Sequence, residues 1–166
     1  MTRLILLLAA ALALSGCGLR PMYSGGERGT VAAGLHSVSV QPIPGRAGWL
    51  VRKELVSRLS HGDVATPRYR LEVELDDNIT GFGIRGDRAA TRERRTLRAR
   101  YRLVDAASGL VVVDSTAGSD AGIDVVSSQY ATVAAEQSAL ERLAGVVADQ
   151  IVGRLALFMT NRPTQP

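Results

Sequence analysis

Hydrophobic and polar side chains alternate along two segments near the middle of the chain. Residues 69–76 and 97–103 carry aliphatic or aromatic side chains at every second position and charged or small side chains between them. A period of two is typical of a strand with one buried face and one solvated face. We expect two further strands, over 36–41 and over 110–116. In the fourth strand, the run Val111-Val112-Val113 indicates cover on both faces and leaves the register open.

Two other segments follow a helical period. Val51, Leu55 and Leu59 are four residues apart and predict a helix over 49–60. A longer stripe predicts a helix over 129–159, which Ser127 or Ser128 could cap. The apolar positions of this stripe are Leu140, Leu143, Ala144, Val147, Ile151, Leu155 and Phe158. The order β-α-β-β-β-α predicts an α+β, two-layer sandwich, with two helices packed on one face of a four-stranded, mostly antiparallel sheet.

The sequence pattern at the beginning of the chain is typical of an export signal. Arg3 precedes an apolar run over 4–14, and this run is shorter than the roughly 20 residues of a membrane span. The following Leu14-Ser15-Gly16-Cys17 resembles a bacterial lipobox and contains the single cysteine of the chain. We therefore expect a signal peptide over 1–16 and acyl groups on Cys17. An uncleaved N-terminal helix is the less favoured alternative, because small residues follow the apolar run so closely.

The sequence pattern divides the expected exported part of the chain into three segments. Residues 17–34 contain five glycines and no apolar period, so we interpret them as the lipidated cysteine and a flexible tether. Residues 35–160 are predicted to form a single α+β domain, and 161–166 a tail. The net charge of +4 is modest, and its distribution along the chain is the more informative property.

Eight arginines lie between residues 85 and 102, in two groups. Arg98, Arg100 and Arg102 occupy the charged face of the third strand. If the second and third strands form a hairpin, acidic residues lie opposite these three arginines, and a solvated ladder of ion pairs is the favoured interpretation. The acidic residues concerned are Glu72, Glu74 and Asp76.

The other five arginines lie in or beside a glycine-containing segment over 78–91, which we expect to be a mobile loop. They are Arg85, Arg88, Arg92, Arg94 and Arg95. Because few acidic residues accompany them, they are candidates for binding phosphate groups of lipopolysaccharide or of lipid headgroups. A loop that is basic for solubility or for contact with a partner is an equally good interpretation. Nucleic acid is not expected as a partner after export.

The sequence does not indicate an enzyme. His36 and His61 have no nucleophile or ligand cluster nearby in the pattern, so we expect no metal and no cofactor. The spacing GxGxxG over 81–86 does not open a helix after a strand, and we do not interpret it as a nucleotide site.

Two segments resemble the LptE family of lipopolysaccharide-assembly lipoproteins. The heptad Cys17-Gly18-Leu19-Arg20-Pro21-Met22-Tyr23 is similar to the family's mature N-terminus, although Leu19 and Met22 depart from its commonest residues. The helix that begins with Tyr130-Ala131-Thr132 and continues through Ala134-Ala135-Glu136, Leu143-Ala144 and Ile151 is also similar. The order of elements agrees as well.

The resemblance implies an outer-membrane protein anchored through Cys17 on the periplasmic side. It also implies a place within the lumen of an LptD-type β-barrel, as a plug that helps the barrel fold, and a role in passing lipopolysaccharide to the outer leaflet. A charged outer sheet face would suit such a polar lumen. Two alternatives stay open: an auxiliary lipoprotein that docks on an inner-membrane exporter, and an envelope lipoprotein with a purely structural role.

Overall fold

The computed structural model describes residues 29–59, 66–84 and 90–161. The expected signal peptide over 1–16, Cys17, His61, Arg85 and Arg88 lie outside these ranges, as does the expected tail beyond residue 161. Seven elements follow one another along the chain. They are α1 (Thr30–His36), β1 (Val38–Val40), α2 (Gly45–Leu59), β2 (Tyr69–Ile84), β3 (Ala90–Asp105), β4 (Val111–Asp124) and α3 (Gln129–Asn161).

The four strands form one open mixed sheet in the order β1-β2-β3-β4. β1 is parallel to β2, and α2 makes the crossover between them, whereas the other two pairs are antiparallel. The α+β class, the helices on one face and the mostly antiparallel sheet are therefore confirmed. The predicted β-α-β-β-β-α order is also confirmed, with one additional helix before it.

That additional helix, α1, includes residues 30–34, which the sequence analysis assigned to a flexible tether. Leu35 is buried against α3, and a Cβ built on Gly34 would lie 3.0 Å from the sulfur of Met159. His36, which was expected to open the first strand, is the last residue of α1 instead. A helix of this length has little stability on its own, so its packing on α3 stabilises it. Seven residues are also too few to show a clear apolar period in the sequence.

The core lies between the sheet and the helices. The apolar residues of the period-two pattern in β2 and β3 point toward α2 and α3, and Tyr69, Leu71, Leu97 and Leu103 are buried there. The stripe of α2 is buried as predicted. By length and composition α3 could also span a membrane, but 44% of its most apolar window is buried. Its apolar stripe packs on the sheet, and this packing marks it as the core helix of the domain.

The strands are longer than the pattern predicted. β2 and β3 remain paired up to Ile84 and Ala90, so the expected loop over 78–91 is mostly ladder. β4 continues to Asp124, well past the expected end near residue 116. The expected cover on both faces of the valine run is wrong, because Val111 is 51% exposed. β4 is the edge strand, and a bulge opposite Leu103 and Val104 shifts its register at this point.

Candidate functional site

The candidate site is the part of the sheet that extends beyond the core, which we call the distal hairpin. It consists of residues 76–84 of β2 and 90–96 of β3, and β4 accompanies it up to Asp124. Arg92, Arg94 and Arg95, expected in or beside a mobile loop, lie within β3 instead. A strand fixes which face each side chain occupies, so the three arginines have different environments.

The predicted ladder of Arg98, Arg100 and Arg102 occupies the open face. The register places the three arginines opposite Asp76, Glu74 and Glu72, as expected for hairpin neighbours. Only Arg102 pairs across to β2, with Glu72 at 3.4 Å and Glu74 at 3.2 Å. The other two turn toward the opposite neighbour, where Arg98 pairs with Asp120 and Arg100 with Asp114.

These contacts shift the titration of the acidic partners on β4. Hydrogen bonds from Thr96 and then from Arg98 hold the pKa of Asp120 below its ordinary value. The pKa of Asp114 is lowered mainly by its hydrogen bond with Arg100. The middle of the open face therefore neutralises most of its own charge and stays hydrophilic.

Arg92 and Arg94 are the exposed arginines of the distal hairpin. Arg92 forms one ion pair with Asp124 at 3.1 Å, and both side chains are largely solvated. Arg94 forms no ion pair within the described residues, although its charge contributes to the lowered pKa of Asp120. Its guanidinium lies 5.5 Å from the centre of the Phe82 ring. A weakly held arginine and an unpaired one can both turn toward an incoming phosphate group.

Arg95 belongs to the opposite face, beneath α3. It donates hydrogen bonds of 2.8 and 2.6 Å to the carboxylate of Asp77, and one of 3.0 Å to the backbone carbonyl of Glu136. Its side chain is only 12% exposed. The hydrogen bond with Asp77 is the main cause that raises the pKa of Arg95. We therefore assign Arg95 to the connection between the hairpin and α3 rather than to ligand contact.

Glu93 shares this inner face with Arg95. Its Oε2 atom is buried and has no hydrogen-bond partner within the described part of the chain. Burial, followed by the charge and hydrogen bonding of Glu136, raises the pKa of Glu93 above its ordinary value of 4.5. The protonated form of Glu93 is therefore favoured at the contact between β3 and α3.

Exposed apolar side chains occur at the same end of the molecule, and the sequence analysis did not single them out. Ile79 and Phe82 lie on β2, while Val126, Tyr130 and Val133 follow β4 and open α3. The connection from β4 to α3 reaches this end because Asp124 lies opposite Arg92. Extending the period-two pattern of β2 past residue 76 would have placed Ile79 on a strand instead of in a loop. Phe82 falls on the opposite parity and so on the open face.

The arrangement offers a surface that is both charged and apolar. Across residues 29–59, 66–84 and 90–161, no three histidine, cysteine or acidic residues are grouped as metal ligands. On the open face the exposed guanidinium of Arg94 lies beside the exposed ring of Phe82, and this pairing suits a ligand that carries both phosphate and hydrocarbon.

Comparison with solved structures gives the same fold. A protein from Caulobacter crescentus assigned as a lipoprotein superimposes with a TM-score of 0.67 at 25% identity, covering 81% of this chain and 100% of its own. The uncharacterized lipoprotein B of Nitrosomonas europaea has a TM-score of 0.57 at 12% identity and covers 75% of this chain and 84% of its own. The rare lipoprotein B of Shewanella oneidensis has a TM-score of 0.53 at 12% identity, and the superposition covers 75% of this chain and 96% of its own.

Comparison with sequences identifies the family. No curated protein sequence matches the chain. The model of the LptE family, described as lipopolysaccharide-assembly, matches residues 35–155, which is well over half of the chain and nearly all of the domain. Together with the lipoprotein fold of the solved relatives, this match shows that the chain belongs to the LptE family of lipopolysaccharide-assembly lipoproteins.

Proposed function

We propose that this lipoprotein acts at the outer membrane as the plug of an LptD-type β-barrel. There it helps the barrel fold and helps pass lipopolysaccharide to the outer leaflet. The observation that carries the proposal is the open sheet face, which none of the described helices covers and whose arginines pair with acidic residues of neighbouring strands. A surface that is charged but largely self-neutralised suits the polar lumen of a large barrel.

The anchor in this proposal is a set of acyl groups on Cys17. The supporting evidence is the apolar run before Leu14-Ser15-Gly16-Cys17 and the absence of any other cysteine from the sequence. Gly29, the first described residue, follows Cys17 by twelve positions, so the connecting chain can span at most roughly 40 Å. A tether of this length keeps the domain close to the periplasmic surface of the membrane while it contacts a barrel.

Lipopolysaccharide contact is proposed for the distal hairpin. Arg92 and Arg94 supply exposed guanidinium groups, Phe82 supplies an apolar surface beside Arg94, and Arg85 and Arg88 add charge in the adjoining segment. Guanidinium groups bind phosphate bidentately, and lipopolysaccharide carries phosphate next to hydrocarbon. Arg95 is excluded from this set because Asp77 and Glu136 occupy its donors.

The barrel partnership is tested by purification of the full lipoprotein from native outer membranes in mild detergent, followed by identification of the proteins that accompany it. We expect one large β-barrel in equal amount. An inner-membrane transporter in its place would favour the auxiliary role. Recovery of the lipoprotein without any partner would leave only a structural role in the envelope.

Ligand contact needs a separate test. The double variant Arg92→Ser/Arg94→Ser is compared with Arg142→Ser, which removes an exposed arginine from α3 far along the chain. Binding of purified lipopolysaccharide should weaken by about tenfold or more in the double variant, since each lost charged hydrogen bond is worth roughly 1.5–3 kcal/mol. Arg142→Ser should bind like the wild type. Equal binding by all three proteins would remove the hairpin arginines from the proposal.

A further inference from the structure

The second edge of the sheet forms a groove with the C-terminal turns of α3. It is open on one side and has a volume of about 390 Å³. Val112 and Val113 of β4 form one wall, and Arg154, Leu157 and Phe158 of α3 form the other. Leu157 is 46% exposed, and Val111 just outside the groove is more exposed still. Apolar side chains thus line a surface that nothing covers within the described part of the chain.

β4 presents unused backbone hydrogen-bonding groups at this edge. Both backbone groups of Gly118 point away from β3, because its N–H donates to the side-chain oxygen of Gln150 and its carbonyl accepts from the side-chain nitrogen. In an antiparallel ladder the outward-pointing residues alternate. The N–H and carbonyl groups of Asp114 and Thr116 therefore also point to the free edge, directly beside the groove.

The groove carries one uncompensated charge. Asp114 pairs with Arg100 on the open face at 2.9 Å and is neutralised there. Arg154 has no ion-pair partner among residues 29–59, 66–84 and 90–161, and it is exposed. An occupant that brings an acidic group to Arg154 would complement this charge. A second copy of the chain would instead bring another Arg154 to the same edge.

We propose that this groove binds an extended, acidic segment of a partner protein, which adds to β4 as a fifth strand. Its backbone pairs with Asp114 and Thr116, alternate apolar side chains pack on Leu157 and Phe158, and an acidic group reaches Arg154. Strand addition of this kind takes affinity from backbone hydrogen bonds and specificity from the pockets beside them. The inference goes beyond the proposed function, because it concerns an edge separate from the distal hairpin and requires no lipopolysaccharide.

The test uses the full chain in living cells. A photoreactive benzoylphenylalanine replaces Val111 beside the groove, and in a control chain it replaces Trp49, which is 63% exposed on α2. Thr116→Pro is then added to both chains. Proline is tolerated on an edge strand where the N–H faces solvent, so the fold is retained while the outward N–H of residue 116 is lost. Thermal unfolding followed by circular dichroism verifies that the variants fold.

We expect irradiation to join position 111 to a protein, at a segment with alternating apolar residues and an acidic residue. The yield should fall about tenfold with Thr116→Pro, as expected for the loss of roughly 1.4 kcal/mol of binding. Arg154→Glu should lower it similarly, whereas Arg142→Glu should not. Any adduct formed from position 49 should be unchanged by Thr116→Pro.

Three results would overturn the inference: no adduct at position 111, an adduct to lipid, or a protein adduct that is indifferent to both Thr116→Pro and Arg154→Glu. The proposed function fails separately. A barrel that copurifies without an adduct at position 111 contradicts only the groove. A Thr116-dependent adduct to a protein that is not a barrel supports the groove and weighs against the plug.

Discussion

The guanidinium of Arg95 donates two hydrogen bonds to the carboxylate of Asp77, and the pair lies beneath the first turns of α3. Both side chains are less than a quarter exposed. A further hydrogen bond from Arg95 reaches the backbone of Glu136, so one side chain joins two strands and a helix.

Replacement of Arg95 by methionine should therefore destabilise the domain. Methionine retains much of the apolar stem but leaves the carboxylate of Asp77 partly buried without a partner. We expect the free energy of unfolding to fall by about 2 kcal/mol, as measured by urea denaturation at neutral pH. Arg94→Met is the matched control and should change it by less than about 0.5 kcal/mol. Equal effects of the two substitutions would contradict the structural role of Arg95.

The raised pKa of Glu93 predicts that the free energy of unfolding depends on pH. Its pKa is raised in the folded protein, chiefly by burial and then by Glu136, so the folded state holds a proton that the unfolded state releases more readily. Its contribution to stability is complete below the unfolded pKa and is lost as the pH rises through the folded pKa.

Glu93→Gln should consequently be more stable than the wild type at neutral pH, because glutamine bears no charge to desolvate. The advantage should shrink as the pH is lowered from neutral through the raised pKa of the folded protein toward 4.5, the ordinary pKa of this group, and it should change no further below that value. Urea denaturation at a series of pH values measures the difference. Glu141→Gln, on the exposed side of α3, serves as the control. A constant difference between Glu93→Gln and the wild type from neutral pH down to 4.5 would argue against the raised pKa of Glu93.

The parts of the fold that the sequence predicted are those with a strong period. The alternation that begins at Tyr69 and the stripe that contains Leu140 each reflect one buried face, and a buried face leaves a regular pattern. α1 has no such pattern because it is short and depends on α3. In the sequence, the valine run of β4 resembles a buried strand. Three consecutive apolar residues do not reveal whether the strand lies inside the sheet or at its edge.

The site was harder to predict, because the charge of an arginine does not reveal on which face of the sheet its side chain lies. Arg94 and Arg95 are neighbours in sequence, and in a strand two neighbours face opposite sides of the sheet. The parity of Leu97 and Ala99, extended backward, assigns Arg95 and Glu93 to the helix side and Arg92 and Arg94 to the open face. That inference required β3 to begin near residue 90, and the glycines before it favoured a loop. The pairing with β4 could not be inferred, because it depends on the tertiary position of Asp120 and Asp114.

Gly118 provides a stringent test of the open face. A Cβ at this position would lie 2.4 Å from Cδ of Arg98 and 2.9 Å from the backbone oxygen of Leu97. Arg98 could move away, but only by leaving Asp120, and the backbone of β3 cannot move cheaply. Gly118→Ala should cost about 1–3 kcal/mol of unfolding free energy in urea denaturation. Gly122→Ala, four residues along the same strand with nothing within 4 Å of the new Cβ, should be nearly neutral. Similar losses in both variants would point to strand propensity instead of the contact with Arg98.

Gln150 limits how far the free edge of β4 can pair with other chains beyond Asp114 and Thr116. Its side-chain amide occupies the N–H of Gly118 at 2.9 Å and the carbonyl at 3.2 Å, which interrupts the row of unpaired backbone groups. Such an uninterrupted row is a template for association. In Gln150→Ala, water replaces the lost partners, so stability should fall by only about 0.5–1.5 kcal/mol. Self-association that rises with protein concentration should appear in sedimentation velocity. Gln137→Ala, which removes an amide from the same helix away from the edge, should sediment like the wild type. A monomeric Gln150→Ala at high concentration would mean that the twist and charge of β4 protect the edge without the amide.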